Sequence, residues 1–233
     1  MKTLICIVTY LFVFMGFNAN ADYPANNSEA ELERWFNSNE EDISPKPSDI
    51  SDGELKFLDK APETSPHLAE NTITILPRSL DDGWVRLNQC HQKLDMMPAA
   101  QIVYLHKPVR KLKVTQQHNI KKSYIDNNTV QLEHIGEGAR ICVEAEIEAL
   151  SRDKDNTYVL DNGPFLRKFL DGYFPVSLQL SIHYPDKLQL IRTDPQEQPG
   201  VRILKKPSSL TISALFEGIL QTRTWFKRTP SAP

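Results

Sequence analysis

No apolar run in these 233 residues reaches the roughly 20 residues that a membrane-spanning helix needs. The longest, Leu4 to Phe17, ends after 14. It sits behind the basic Lys2 and ahead of Ala19-Asn20-Ala21, the order of parts in a cleavable secretory signal. The expectation is a signal peptide at 1–21 and a mature chain that starts at Asp22 with no transmembrane span, working in the periplasm or outside the cell.

Cysteine is nearly as scarce. Of the three, Cys6 leaves with the signal, so Cys90 and Cys142 remain as an even pair in an oxidising compartment, and a disulfide between them is expected. No C-x-x-C occurs, which removes a thioredoxin-like dithiol and a zinc knuckle. Side-chain parity fits a bridge on an outer surface: Cys142 alternates onto one face with Glu144, Glu146 and Glu148, and Cys90 shares a face with Arg86 and Asn88.

Catalytic signatures are absent too. The six histidines, His67, His91, His106, His118, His134 and His183, contain no H-E-x-x-H, and there is no G-x-S-x-G elbow, phosphate loop or dinucleotide fingerprint. Asp153-Lys154-Asp155-Asn156 opens like a calcium loop but lacks its glycine and terminal glutamate, and reads as a polar turn. No metal, no cofactor and no catalytic residue is assigned.

Charge is present but divided. The net charge of -3 conceals an N-terminal stretch, residues 22–66, with 12 acidic and 4 basic side chains, followed by a mildly basic remainder. Residues 22–70, rich in Asn, Ser, Pro, Asp and Glu, have too little apolar surface to offset the entropy of ordering and read as a flexible acidic leader. Within it, Ser28-x-x-Glu31 has capping-box spacing, and Leu32, Trp35 and Phe36 fall on one face of a short helix at 29–37, a candidate motif for a partner groove. The opposite sign collects between 107 and 122, where Lys107, Arg110, Lys111, Lys113, Lys121 and Lys122 occur without an acidic neighbour. They form a candidate anion- or partner-binding strand; the leader itself is one such anion, and lysines guarding a solvated sheet edge are the structural alternative.

From residue 71 to 228 the dominant period is two. Leu178, Leu180, Ile182 and Tyr184 alternate with Ser177, Gln179, Ser181 and His183, and Pro185-Asp186 reads as the turn to a second strand through Leu188 and Leu190. Similar alternation marks 101–106, 112–114, 130–132, 141–147 and 210–227, the last with a turn or bulge at Glu217-Gly218. The fold class is mainly β: an antiparallel β-sandwich or open barrel of about ten strands in a single domain, with residues 229–233 as a tail. One short helix is expected near 164–172, because Phe165, Leu166, Phe169 and Leu170 have helical spacing between Pro164 and Gly172. With Tyr173 and Phe174, Phe165 and Phe169 form a candidate aromatic lid.

These features point to a non-enzymatic envelope or secreted binding module with a protein or anionic envelope partner, and not to nucleic acid. The alternatives are an extracytoplasmic hydrolase of a polymer or lipid with its site beside the aromatic segment, and a structural or adhesive surface component. Oligomeric state is not encoded in any of these patterns.

Overall fold

The computed structural model describes residues 53–62, 66–104, 107–170 and 172–229. The expected signal peptide, most of the acidic leader with Leu32, Trp35 and Phe36, His106 and residues 230–233 lie outside the described residues. What is described is mainly β, in two principal sheets.

The larger sheet has nine strands: β1 (Lys56–Phe57), β2 (His67–Thr74), β3 (Trp84–Leu94), β4 (Met97–Val103), β5 (Val109–Asp126), β6 (Thr129–Glu148), β11 (Val176–His183), β13 (Val201–Lys206) and β14 (Ser209–Glu217). The smaller sheet orders β12 (Leu188–Asp194), β15 (Leu220–Arg228), β8 (Thr157–Phe165) and β7 (Leu150–Arg152). A two-stranded ribbon, β9 (Lys168–Phe169) with β10 (Gly172–Tyr173), completes the set.

Alternation explains the core. The inward residues of β11 are Val176, Leu178, Leu180 and Ile182, and those of β14 are Leu210, Ile212, Ala214 and Phe216, all buried. They pack into one cluster with Tyr158, Leu160, Leu220 and Phe226 of the smaller sheet, so the two sheets share a core as a sandwich does. Their outward neighbours Gln179 and His183 face solvent.

Several expectations need correction. Segment 164–172 is not a helix: Phe165 ends β8 and pairs with Leu220, and the chain then enters β9 and β10. A spacing of four residues is close to one helical turn but is also two strand repeats, so Phe165 and Phe169 fit both readings. Leu166 and Leu170 are exposed, which leaves no continuous apolar stripe for a helix to bury. The short helix is instead α1 (Ser79–Asp82), ended by Gly83 at φ 75°. Lys154–Asn156 forms a single 3-10 turn, in keeping with the polar turn expected there.

Among the described strands the antiparallel rule has one exception, β2 and β11, which run parallel from His67 opposite Val176 to Thr74 opposite His183. Nor do β11 and β12 form a hairpin. The chain crosses at Tyr184-Pro185 from the larger sheet to the smaller, and the Tyr184 ring packs on Phe226 with centroids 4.9 Å apart. Another crossing follows β14 at Gly218, where φ is 91° and an added Cβ would lie 2.2 Å from the Glu54 carbonyl oxygen. About ten strands are expected and fifteen occur among the described residues, four of which, β1, β7, β9 and β10, are only two or three residues long. The sheet also begins before residue 71, since β1 pairs with β14 and β2 starts at His67.

α1 is tied to β3 by Ser79, whose buried Oγ accepts from the Leu76 N–H at 2.9 Å and donates to the Trp84 carbonyl at 2.5 Å. Ser79→Ala removes both bonds and leaves two half-buried backbone groups without that partner. Urea unfolding is expected to show a loss of roughly 1–3 kcal/mol, and an unchanged midpoint would contradict this account.

Candidate functional site

The inner face of β2 and β3 changes character along its length. At one end it carries Ile73, Val85 and Leu87; at the other it carries His67, Asn71, Gln89 and His91. Asn71 stands directly opposite Gln89, and Ala69 opposite His91. Across the sandwich, β8 follows Tyr158 and Leu160 with Asn162, again a polar residue at a core-facing position. Where the alternation turns polar the sheets do not close on each other, and a cavity of about 720 Å³ lies between β2, β3, β4 and β6 on one side and residues 162–170 on the other.

Most of its wall is apolar, including Leu94, Ile102 and Leu132 opposite Phe165 and Phe169. Of its ionic groups, Arg167, Asp95 and Lys107 are already joined to partners, and Lys168 is exposed at the rim. Arg167 holds Asp95 through two hydrogen bonds, Nε to Oδ2 at 3.0 Å and Nη2 to Oδ1, and Lys107 lies 3.4 Å from Asp161. Tyr104 donates its hydroxyl to Gln89 Oε1, and burial pushes the phenol well above its ordinary value. His67 Nε2 and His91 Nδ1 are 2.8 Å apart, sharing one proton between two imidazoles. Burial lowers His67 to about 4, helped by Arg167 and opposed by Asp95, and lowers His91 to about 3 with a further contribution from His67. Both rings are therefore neutral near pH 7.

Three buried atoms on this lining have no partner among the described residues: Asn71 Oδ1, His91 Nε2 and Asn162 Nδ2. Asn71 is 2% exposed and Asn162 6%. A fourth unpartnered atom, Arg140 Nε, lies elsewhere, on the residue whose Nη2 approaches Cys90 Sγ at 3.7 Å.

The residues expected from sequence separate into distinct places. Cys90 and Cys142 are disulfide-bonded, directly opposite each other on β3 and β6. The basic residues from Arg110 onward lie on the edge strand β5, where Arg110 and Lys111 bind Glu146 at 2.7 and 3.1 Å, Lys113 binds Glu144 at 2.7 Å and Lys122 binds Glu133 at 3.0 Å. Lys121 is exposed. Arg78 is the third cation on Glu146, at 2.6 Å, and the hydrogen bonds from Arg110, Lys111 and Arg78 hold that carboxyl down to about 2. Of the aromatic residues, Phe165 and Phe169 reach the cavity; Phe174 meets Phe169 edge-on at 5.2 Å, and Tyr173 lies beneath Lys168.

Asn71, Gln89, His91 and Asn162 were missed as site residues because no motif joins residues so far apart. One signal was available: each interrupts an apolar series at a core-facing position, as in Ala69-x-Asn71-x-Ile73 and Leu87-x-Gln89-x-His91. Among the described residues no group of three or more His, Cys, Asp and Glu could hold a metal ion, and no helix is long and apolar enough to cross a membrane.

A two-sheet β domain with a polar-based cavity at one end of its core is the class that these observations define. No protein-family model matches the chain, and no curated protein matches it in sequence. Among solved structures it is similar to a mutant M1 zinc metallopeptidase from Deinococcus radiodurans bound to a Tyr-Ser-Ala substrate, with a TM-score of 0.35 and 8% identity. The similarity covers 75% of this chain and 43% of that one, so the chain spans less than half of the peptidase's length. A likeness of that degree carries no argument about this chain's activity.

Proposed function

We propose that this protein is an exported binding module that holds a small ligand in the cavity between its sheets. The observation that carries the reading is the set of three unpartnered buried atoms, Asn71 Oδ1, His91 Nε2 and Asn162 Nδ2, contributed by three strands to one cavity. Buried polar atoms are almost always paired, and leaving one unpaired costs about 1–3 kcal/mol, so an array of them around a space of ligand size favours an occupant that completes the bonds. The described lining has no Ser, Thr or Cys, and its one carboxylate, Asp95, is engaged by Arg167. That composition favours holding a molecule over transforming it. Five of the six basic residues between 107 and 122 are satisfied by carboxylates of the same domain, which favours the cavity over β5 as the place of recognition. Export is supported by the signal-like N-terminus and by a disulfide that suits an oxidising compartment.

The test uses N-phenyl-1-naphthylamine, an uncharged dye that brightens in apolar surroundings. Its fluorescence is expected to rise saturably with one equivalent of protein, and Ala100→Trp, which places an indole in the cavity wall, is expected to abolish the rise. A dye signal that is absent, or unchanged in the variant, would remove the cavity as a binding site.

A further inference from the structure

Resting on that reading, we infer that the ligand is a lipid-like molecule with one apolar chain and an uncharged head, such as a hydroxyl or amide, that both donates and accepts hydrogen bonds. The unpartnered atoms set the requirement. Asn71 Oδ1 needs a donor, Asn162 Nδ2 needs an acceptor, and His91 Nε2 offers whichever role its proton shared with His67 leaves to it. A carboxylate only accepts and would leave Asn71 unpaired. An ammonium only donates and would leave Asn162 unpaired.

Charge points the same way. Arg167 and Lys107, the two cations that line the cavity beside a carboxylate, are each paired with it, and a third, Lys168, extends over the Tyr173 ring at 5.2 Å. An ionised head carried to the base of the cavity would be desolvated there among neutral amides and imidazoles, because Lys168, the lining cation that lacks a carboxylate partner, is exposed to solvent. Burial keeps both imidazoles neutral at physiological pH, so they supply none.

The rest of the cavity is built for a chain. Met97, Ile102 and Leu132 form one wall, Phe165 and Phe169 the other. At the solvent side Val103, Leu166 and Leu170 line the cavity while remaining exposed, an apolar rim that a water-soluble polar ligand would not need. A volume of about 720 Å³ is within the range of ordinary ligand sites and has room for a medium-length chain with a compact head.

Three probes share a twelve-carbon chain and differ in the head: 1-monolauroylglycerol, laurate and dodecylammonium, each titrated calorimetrically below its micelle concentration into the full mature chain at pH 7.5. Monolauroylglycerol is expected to bind at least tenfold more tightly than either ion. Asn71→Leu and Asn162→Leu are each expected to weaken it about tenfold without lowering the thermal midpoint, since each replaces an unpartnered amide by an apolar group of similar volume; a purely structural asparagine would lose stability. Laurate or dodecylammonium binding as tightly as the neutral probe, and lost in Ala100→Trp, would overturn the neutral head and leave the cavity as the site. If no probe bound, or all bound Ala100→Trp unchanged, the binding-module reading would fall with it; should Ala100→Trp not fold, unaltered affinity in both asparagine variants decides the same point.

Discussion

Acidification from pH 6.5 to about 4 is expected to remove roughly 3 kcal/mol of stability through His67 alone, taking 1.36 kcal/mol for each pH unit of displacement. In the unfolded chain an imidazole takes up its proton near 6.5, whereas in the folded chain His67 resists until about 4 and His91 until about 3. Between those limits the unfolded state binds more protons than the folded one. Stability therefore rises with pH across the window and falls as pH is lowered through it. The cause is local: His67 and His91 share a hydrogen bond within the cavity lining, Arg167 adds repulsion on His67, and Asp95 offsets part of it. Glu146 also lies below its ordinary value and so loses stability on acidification, but only as pH falls from 4.5 towards 2. Urea unfolding at pH 7.5, 6.0 and 5.0 thus isolates the histidines from Glu146. In His67→Gln/His91→Gln the dependence between these pH values should be largely flat; a slope equal to that of the parent chain would show that other groups titrate there.

Loss of the Cys90–Cys142 bridge has the other large effect. The bridge closes a loop with a sequence separation of 52 residues. In the chain-entropy account, opening such a loop in the unfolded state costs the folded state about 4 kcal/mol of relative stability. The folded state itself should change little, because a backbone ladder from Trp84 opposite Glu148 to Leu94 opposite Ala139 also holds β3 to β6. Cys90→Ser/Cys142→Ser should therefore unfold at much lower urea with a steeper dependence, since the unbridged chain exposes more surface. A stability loss below about 1 kcal/mol would mean that the unfolded ensemble stays compact around this ladder without the bridge.

Legibility in the sequence followed the apolar content of the strand faces. β11, β14 and much of β6 were readable because every second residue is apolar, and the cysteine pair because parity and count agreed. The first half of β2, residues 67–70, falls in the leader on sequence alone because His67 and Ala69 line a cavity and give a weak hydrophobic signal where the strand is most relevant to binding. Phe165 and Phe169 both line the cavity, but their spacing of four does not separate helix from strand. Direction and sheet membership were not readable either. Alternation is the same for a strand that turns back at Pro185 and for one that leaves for the opposite sheet, and it does not distinguish parallel from antiparallel neighbours.

The parallel pairing of β2 with β11 sets the order in which this domain can assemble. β2 occupies the middle of the larger sheet, yet its neighbour on one side arrives only at residue 176, and β11 in turn waits for β14 at 209–217. The β5–β6 hairpin can zip locally, but the central seam has a high contact order and must close long loops before any of its ladder bonds form. Folding on the millisecond-to-second scale is the consequence, with the seam the last part of the larger sheet to form and the hairpin the first.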